Sequence, residues 1–270
     1  MVEGGYQIKT VKRELARDLR SATLHVMADI HIGDKHFQEP IVKDRISQIA
    51  ADETACVILN GDLMNTATRQ SPSDIFAEQM TPTQQLTYAS DLLSPIAHKI
   101  IAITGGNHEA RTWKNDGVDL TRLLVRELGI EDAYSPEGVL VFLRFGAMTK
   151  NDKDGSGQAR MICYTIYATH GSGGGRKEGS KAIRLADMAS IVDADIYIHS
   201  HTHLPMIMRQ AFYRTNQSTS TVTPVDKLFV NTGTSVAYGG YAQAQEYKPV
   251  STETPVILLS GTQKYAQARL

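Results

Sequence analysis

The chain has 270 residues, of which 41% are hydrophobic and 21% are charged, and its formal net charge is −1. This composition is typical of a globular protein with a sizeable core. It excludes a global basic field that would attract nucleic acid, although a local basic patch is still allowed. The sequence has no apolar run of transmembrane length, and its first residues lack a signal-peptide pattern, so we expect a cytoplasmic protein without membrane contact. The two cysteines, Cys56 and Cys163, have the spacing of neither a disulfide framework nor a zinc site.

The first half of the chain alternates short apolar runs with amphipathic ones. Residues 1–20 are polar and charged, and we interpret them as a solvated lead-in or a short helix. The apolar, β-prone runs predict strands at 23–29, 55–59 and 99–104. The amphipathic runs predict helices from Pro40 to 49, over 74–97 with a break near Thr81 and Pro82, and over 119–128 with Gly129 as the C-terminal cap. This alternation of strand and helix is typical of a parallel sheet.

The second half is richer in strands. We predict strands at 139–145, 161–167, 195–198, 206–213, 227–230 and 255–259. A hairpin connection is predicted over 150–158 and a helix over 180–191, after a glycine-rich basic loop. Because the chain contains neither an internal repeat nor a convincing linker, we predict one domain over residues 1–270.

Polar side chains with metal-binding atoms follow five of the predicted strands. They are Asp29 and His31, Asp62, Asn107 and His108, His170, and His201 and His203. Each motif alone is weak, because Asn-Gly-Asp is a common turn and a single histidine at a strand end is unremarkable. Ligands bind at the carboxyl ends of strands in such sheets, and Asp29 and His31 share one face if the strand continues to that point. Two adjacent divalent ions need about seven or eight donors, so the set favours a dimetal site.

The complete motif set resembles the calcineurin-like metallophosphoesterases. The family pattern is D-x-H, G-D, G-N-H-[ED], H and G-H-x-H. Here it stands as Asp29-Ile30-His31, Gly61-Asp62, Gly106-Asn107-His108-Glu109, His170 and Ser200-His201-Thr202-His203. Order, spacing and strand-end context agree over about residues 23–235. The resemblance implies an α/β fold, a four-layer αββα sandwich of two mixed sheets flanked by helices, with the metal site at the carboxyl ends of the strands.

The resemblance also implies roles for individual residues. Asp29, His31 and His203 would hold one ion, Asn107, His170 and His201 the other, and Asp62 would bridge both. A hydroxide between the ions would attack phosphorus, and His108 would act at the leaving oxygen. The mixed nitrogen and oxygen donors favour Mn²⁺, with Fe or Zn²⁺ as alternatives.

Two positions depart from the family pattern. Ser200 replaces a glycine, and we expect modest consequences because serine is small. Asn65 stands where phosphoprotein phosphatases carry an aspartate, which counts against a Ser/Thr protein phosphatase. Its side-chain oxygen could orient His108. Arg111 and Arg176 are candidate substrate-binding residues, each with a plain surface or loop role as the alternative.

The sequence does not decide between several classes of substrate. Residues 29–37 resemble the first motif of DNA-repair-type phosphodiesterases, and residues 61–82 and 170–181 resemble metallophosphoesterases of phages and prophages. We therefore expect a phosphodiesterase, with nucleic acid as a candidate substrate and a nuclease as its specific form. The alternatives are a phosphomonoesterase acting on a small molecule or a protein, and a non-catalytic binding scaffold.

Overall fold

Two six-stranded mixed sheets pack face to face at the centre of the molecule. The computed structural model describes residues 7–71, 75–148 and 160–270. The strands are β1 Lys9–Glu14, β2 Ser21–Met27, β3 Ala55–Asn60, β4 Ile100–Thr104, β5 Tyr134–Ser135, β6 Gly138–Phe145, β7 Ile162–Thr169, β8 Ile196–His199, β9 Met206–Asn216, β10 Thr221–Asn231, β11 Val256–Ser260 and β12 Ala266–Arg269. The α-helices are α1 Glu39–Ala51, α2 Pro82–Leu93, α3 Glu109–Asp116, α4 Leu120–Glu127, α5 Glu178–Asp187 and α6 Gly240–Ala244.

The strand orders explain the alternating sequence of the first half. One sheet has the order β12-β11-β2-β3-β4-β5, in which β2, β3, β4 and β5 run parallel. The other has the order β1-β6-β7-β8-β10-β9, with β7, β8 and β10 parallel. Parallel neighbours place their carboxyl ends at the same edge, so the polar residues after β2, β3 and β4 meet there.

Strand β3 shows why its sequence is continuously apolar. All six of its residues are buried. Cys56 and Ile58 face the second sheet, whereas Val57 and Leu59 face the helices. A strand buried on both faces cannot alternate apolar with polar residues.

Helices cover both outer faces of the sheet pair. Ile46 of α1, Leu86 of α2 and Leu124 of α4 pack on one sheet. Leu185 of α5 packs on the other, in a cluster with Tyr167 and Phe229. The predicted four-layer αββα sandwich is therefore confirmed. Over the described ranges, none of the helices has the length and apolar character needed to cross a bilayer.

Several predicted element boundaries change in the structure. The break predicted near Thr81 and Pro82 is confirmed, because Thr81 caps α2 through a capping box with Gln84. The lead-in prediction is wrong for residues 9–14, which form β1 and pair in parallel with β6. Val11 is buried there, while its charged neighbours lie along an edge strand, where such side chains are tolerated. Residues 150–158, predicted as a hairpin connection, lie outside the described residues.

Candidate metal centre

The five polar strand ends come together at one edge of the sheets. Three groups of side chains place potential metal-binding atoms within 4.8 Å of one another. One group is Asp29, His31 and His203, and another is Asp62, His170 and His201. The third, formed by His31, Asp62 and His108, connects the first two.

The first group lies around Asp29, which is completely buried. Its Oδ1 atom lies 3.1 Å from His203 Nε2, and His203 Nε2 lies 3.4 Å from His31 Nε2. Among the described residues, Asp29 Oδ1 and His31 Nδ1 are buried and make no well-formed hydrogen bond, since the 3.1 Å contact of Asp29 Oδ1 is to another predicted ligand, His203. A buried carboxylate oxygen without a hydrogen bond is costly unless a cation satisfies it, so this observation fits a metal ligand.

The second group lies around Asn107. Its Oδ1 atom is 3.1 Å from His170 Nε2 and 2.7 Å from His201 Nδ1. His170 Nε2 also lies 3.1 Å from Asp62 Oδ2. Asn107, His170, His201 and Asp62 therefore offer an amide oxygen, two imidazole nitrogens and a carboxylate oxygen to one small volume, a set that suits a divalent transition metal.

The charge states of two of the histidines, His31 and His201, fit the same purpose. Burial, reinforced by neighbouring His108, lowers the pKa of His31 well below its ordinary value. Burial and the charge of His170 lower the pKa of His201 to about 4. Both imidazoles are therefore neutral at pH 7, which is the state that ligates a metal. Burial opposes ionisation of Asp62, but His170 and His108 outweigh it and hold the pKa of Asp62 well below its ordinary value.

The convergence depends on an unusual backbone conformation. Asp29, His31, Asp62, His201 and His203 all have positive φ, between 50° and 66°. The geometric reason given above for Asp29 and His31 is wrong, since β2 ends at Met27 and both residues lie in the following loop. Left-handed backbone at a non-glycine residue costs about 1–3 kcal/mol and is concentrated at functional sites. Its repetition at five predicted ligands supports this edge as the candidate functional site.

Two glycines of the motifs are required by close approach. A Cβ atom on Gly106 would lie 2.1 Å from the Asp62 nitrogen. Gly61 has φ +79°, and a Cβ atom there would lie 2.7 Å from His170 Nδ1. Any side chain at either position would displace a predicted ligand.

Hydrogen bonds to the backbone orient the imidazoles. Asn60 O lies 2.8 Å from His170 Nδ1. Since a carbonyl can only accept, His170 Nδ1 carries the proton and its Nε2 points at Asp62 and Asn107. Such a partner behind a ligating histidine sets its tautomer. Asn60 also donates to Ser200 Oγ at 2.7 Å, so the serine that replaces the family glycine joins this buried network.

His108 lies beside the two groups. Its Nε2 atom is 3.8 Å from Asp62 Oδ2, and its Nδ1 donates to the backbone oxygen of Asn65 at 2.9 Å. The prediction that the side-chain oxygen of Asn65 orients His108 is wrong, because His108 Nδ1 contacts the backbone oxygen, while the side-chain Nδ2 donates to Glu78 Oε1. The backbone of Asn65 therefore orients the His108 ring. Asn65 is also nearly buried, at 2% exposure.

The two candidate arginines have different positions. Arg111 donates from Nη2 to His108 Nε2 at 3.0 Å and from Nη1 to Asn65 O at 3.2 Å, so it lies at the centre. Arg176 lies over the ring of Tyr247, with Cζ 5.2 Å from the ring centroid. Within the described part of the chain, Arg176 has no contact with the predicted ligands.

Sequence reasoning assigned no role to Glu109, which is 3% exposed. Its Oε1 accepts the N–H groups of Leu63 and Met64 at 2.6 and 2.9 Å. Its Oε2 accepts those of Asp62 and Gly106, both at 3.1 Å. One carboxylate therefore holds both the loop that presents Asp62 and the turn before Asn107. The sequence feature that could have indicated this role is the position of the Glu109 carboxylate directly after His108 in the motif.

A run of small hydroxyl residues after β10 was also missed. Thr232 Oγ1 donates to Asp29 Oδ2 at 3.3 Å. Thr234 Oγ1 and the Ser235 nitrogen donate to the Asp29 backbone oxygen at 2.9 and 3.0 Å. Their role could have been suspected from the sequence, since these residues follow the end of a predicted strand, as the predicted ligands do.

The sequence model of the calcineurin-like phosphoesterases matches residues 23–205, which include every predicted metal ligand. The chain belongs to this family. It is therefore a metal-dependent phosphoesterase, a hydrolase whose Asp and His clusters fit divalent ions. Among curated proteins, no sequence matches the chain.

Solved structures resemble the fold at low sequence identity. A predicted phosphoesterase from Streptococcus pneumoniae is 17% identical, with 93% of this chain and 98% of that chain covered and a TM-score of 0.34. Vacuolar Protein Sorting 29 from Cryptosporidium parvum is 15% identical, with 93% and 97% covered and a TM-score of 0.44. The nuclease MPE of Pseudomonas putida is 14% identical, with 91% and 87% covered and a TM-score of 0.33.

Proposed function

We propose that this protein is a phosphodiesterase that uses two divalent metal ions, with Mn²⁺ as the activating metal and nucleic acid as the candidate substrate. The observation that carries the proposal is the pair of side-chain groups connected by Asp62, with His108 beside them. Asp29, His31 and His203 would hold one ion, and Asn107, His170 and His201 the other, with Asp62 shared. When bound, two such ions activate a water molecule and neutralise charge on the phosphoryl oxygens.

The residues of the chain supply positioning and proton transfer. Asn60 and Glu109 hold the ligand loops in place before any ion arrives, which lowers the cost of assembling the site. His108 is fixed through Nδ1 and presents Nε2 towards Asp62, the position from which a leaving oxygen would receive a proton.

Arg111 connects substrate charge to His108. Burial, opposed by the charge of Asp62 and reinforced by that of Arg111, lowers the pKa of His108. An anionic phosphate next to Arg111 would attract the guanidinium, and its charge would favour the protonated imidazole. His108 then gives the proton from Nε2 to the leaving oxygen.

Position 65 counts against a Ser/Thr protein phosphatase, which is one form of the monoester alternative. Asn65 provides only a backbone oxygen to His108, where the phosphoprotein phosphatase pattern has a carboxylate. The second candidate is a phosphomonoesterase, which the same metal ligands would also serve. Residues 34–37, the local indication of a diester, have structural contacts: Asp34 accepts the His36 N–H at 2.7 Å, and Phe37 packs on Tyr88.

The test compares bis-p-nitrophenyl phosphate, a diester, with p-nitrophenyl phosphate, a monoester, on protein loaded with Mn²⁺. We expect a higher kcat/KM for the diester, and a higher value for the monoester would favour the second candidate. Metal-loaded protein that hydrolyses neither compound nor DNA would overturn the enzymatic interpretation for these substrates.

Two variants test the assigned roles. His108→Ala should reduce kcat by about 10²–10⁴-fold, the usual contribution of a positioned acid, while metal analysis still finds both ions. Asp62→Ala should lose the paired site itself. His98→Ala, at an exposed histidine outside the motifs, is the control. Full activity in His108→Ala would show that the role given to His108 is wrong.

A further inference from the structure

A small basic cavity lies immediately beside the metal centre. It has a volume of about 100 Å³ and is lined by the glycine-rich loop after β7, by the first turns of α5 and by Thr202. Thr202 lies between His201 and His203, which belong to the two different ligand groups. One lining residue of the cavity is therefore the chain neighbour of a predicted ligand in each of the two groups.

The charge around this cavity is positive, although the whole chain has a net charge of −1. Residues 173–184 contain four basic side chains and one acidic one. Two of the basic residues, Lys181 and Arg184, line the cavity. The acidic one, Glu178, is paired with Lys248 at 2.6 Å, so a further cation offsets its charge. Among the described residues, no carboxylate lines the cavity.

Lys181 is held so that it faces the cavity. Its Nζ atom donates to the backbone oxygen of Thr202 at 2.9 Å, and the side chain is half-buried. An ammonium group has three donors, which leaves two for a ligand. Burial lowers the pKa of Lys181, which indicates a cation that is only partly solvated.

Glycines create the space opposite these two cations. A Cβ atom on Gly175 would lie 2.2 Å from Ser180 Oγ, so a side chain there would fill the cavity. Gly174 faces open space, and Gly173 has φ +131° with Arg184 packed against it. The cavity is large enough to admit one phosphate group beside these two cations.

We propose that this cavity is a second phosphate subsite, formed by Lys181 and Arg184, that binds the phosphate next to the scissile one in a nucleic-acid strand. The proposal rests on the proposed function and deepens it, because it makes a substrate with successive phosphates the preferred class. Lysine and arginine bind phosphate through charged hydrogen bonds, and the adjacent metal centre would hold the scissile group.

The test uses a thymidine trinucleotide, which has two phosphodiesters, and its two isomers with one linkage replaced by an uncharged methylphosphonate. For the wild-type protein with Mn²⁺, removing the flanking charge should lower kcat/KM by about tenfold in at least one isomer, the effect of one charged hydrogen bond. In Arg184→Gln the same ratio should shrink to about twofold, because the partner of that charge is gone. Arg126→Gln, an exposed arginine of α4, is the matched control and should keep the wild-type ratio.

A binding measurement separates this proposal from the proposed function. Fluorescence anisotropy of labelled (dT)10 in EDTA needs no hydrolysis. Arg184→Gln should reduce the slope of log Kd against log salt by about 0.7, the value for one phosphate contact on a single strand. If the wild-type protein cleaves none of the substrates but Arg184→Gln still reduces the salt slope, the proposed function is overturned and the subsite is supported.

Two outcomes overturn the subsite itself. Trinucleotide cleavage with the same ratio in wild type and Arg184→Gln would show that Arg184 does not contact the flanking phosphate. Inorganic tripolyphosphate provides the last comparison, as a competitive inhibitor. If Arg184→Gln weakens its inhibition but leaves the trinucleotide ratio unchanged, the cavity serves a polyphosphate and the assignment to a strand is wrong.

Discussion

The carboxylate of Glu109 is a position where a change of one functional group should disturb both stability and metal binding. Replacing Glu109 with glutamine keeps the shape of the side chain but exchanges one acceptor oxygen for an NH₂ group. Each Glu109 oxygen accepts two backbone N–H groups. Whichever way the amide is oriented, two of those N–H groups would face another donor.

The expected magnitude follows from that count. A buried N–H group left without a partner costs about 1–3 kcal/mol, so two should cost about 2–6 kcal/mol of the free energy of unfolding. At about 2 °C per kcal/mol for a chain of this size, the melting temperature should fall by roughly 4–12 °C. The same loop presents Asp62, so affinity for Mn²⁺ should weaken by about 10–100-fold.

Differential scanning calorimetry of the metal-free protein measures the first effect, and isothermal titration with Mn²⁺ measures the second. Glu127→Gln, an exposed glutamate of α4, makes the same chemical change outside the site and should leave both quantities unchanged. A Glu109→Gln protein that melts and binds Mn²⁺ as the wild type does would refute the idea that this carboxylate holds the ligand loop.

Three further predictions concern stability. Gly106→Ala should lower the free energy of unfolding measured in urea by about 3 kcal/mol or more, because its Cβ would meet the Asp62 nitrogen. Gly179→Ala, in open space on α5, should instead add about 0.5–1 kcal/mol, and equal effects at the two glycines would contradict the close-approach argument. Ser200→Ala should lower the free energy of unfolding by about 1 kcal/mol in the same urea assay, since it removes one of the two acceptors of the buried Asn60 amide, and an unchanged value would argue against that network. Burial lowers the pKa of His25 below the unfolded value of 6.5, so the unfolded state takes up the proton first and stability falls as the pH drops below about 6.5. His25→Gln should therefore lose less melting temperature than the wild type between pH 7.5 and 5.5, and identical losses would show that His25 does not contribute.

The chemistry of the centre could be predicted because it depends on residue types at strand ends. Parallel strands place their carboxyl ends at one edge, so Asp29 and Asp62, which follow the neighbouring strands β2 and β3, were expected to approach each other once the strands were recognised. The apolar run of β3 indicated burial on both faces, and Thr81 and Pro82 indicated the start of α2. These patterns depend on residues that are close in sequence, so they can be recognised without the tertiary structure.

The prediction was weaker where a residue's role depends on distant backbone. Asn65 was expected to act through its side chain, but its backbone oxygen contacts His108 while the side chain turns to Glu78. The type of a residue does not tell whether its backbone or its side chain will contact a residue from another segment. The charged segment 9–14 forms a strand because it pairs with β6, which is some 130 residues away in the sequence.

By itself, the sequence determined which donors the protein has and the strand ends from which they come. Tertiary structure alone decided how they meet. Asp29 and His31 converge through left-handed backbone that β10 and the residues after it help to hold, with Thr232 and Ser235 bonded to Asp29. Such a conformation is unfavourable for an isolated chain and persists only when surrounding contacts outweigh its cost, so no local sequence pattern could have predicted it.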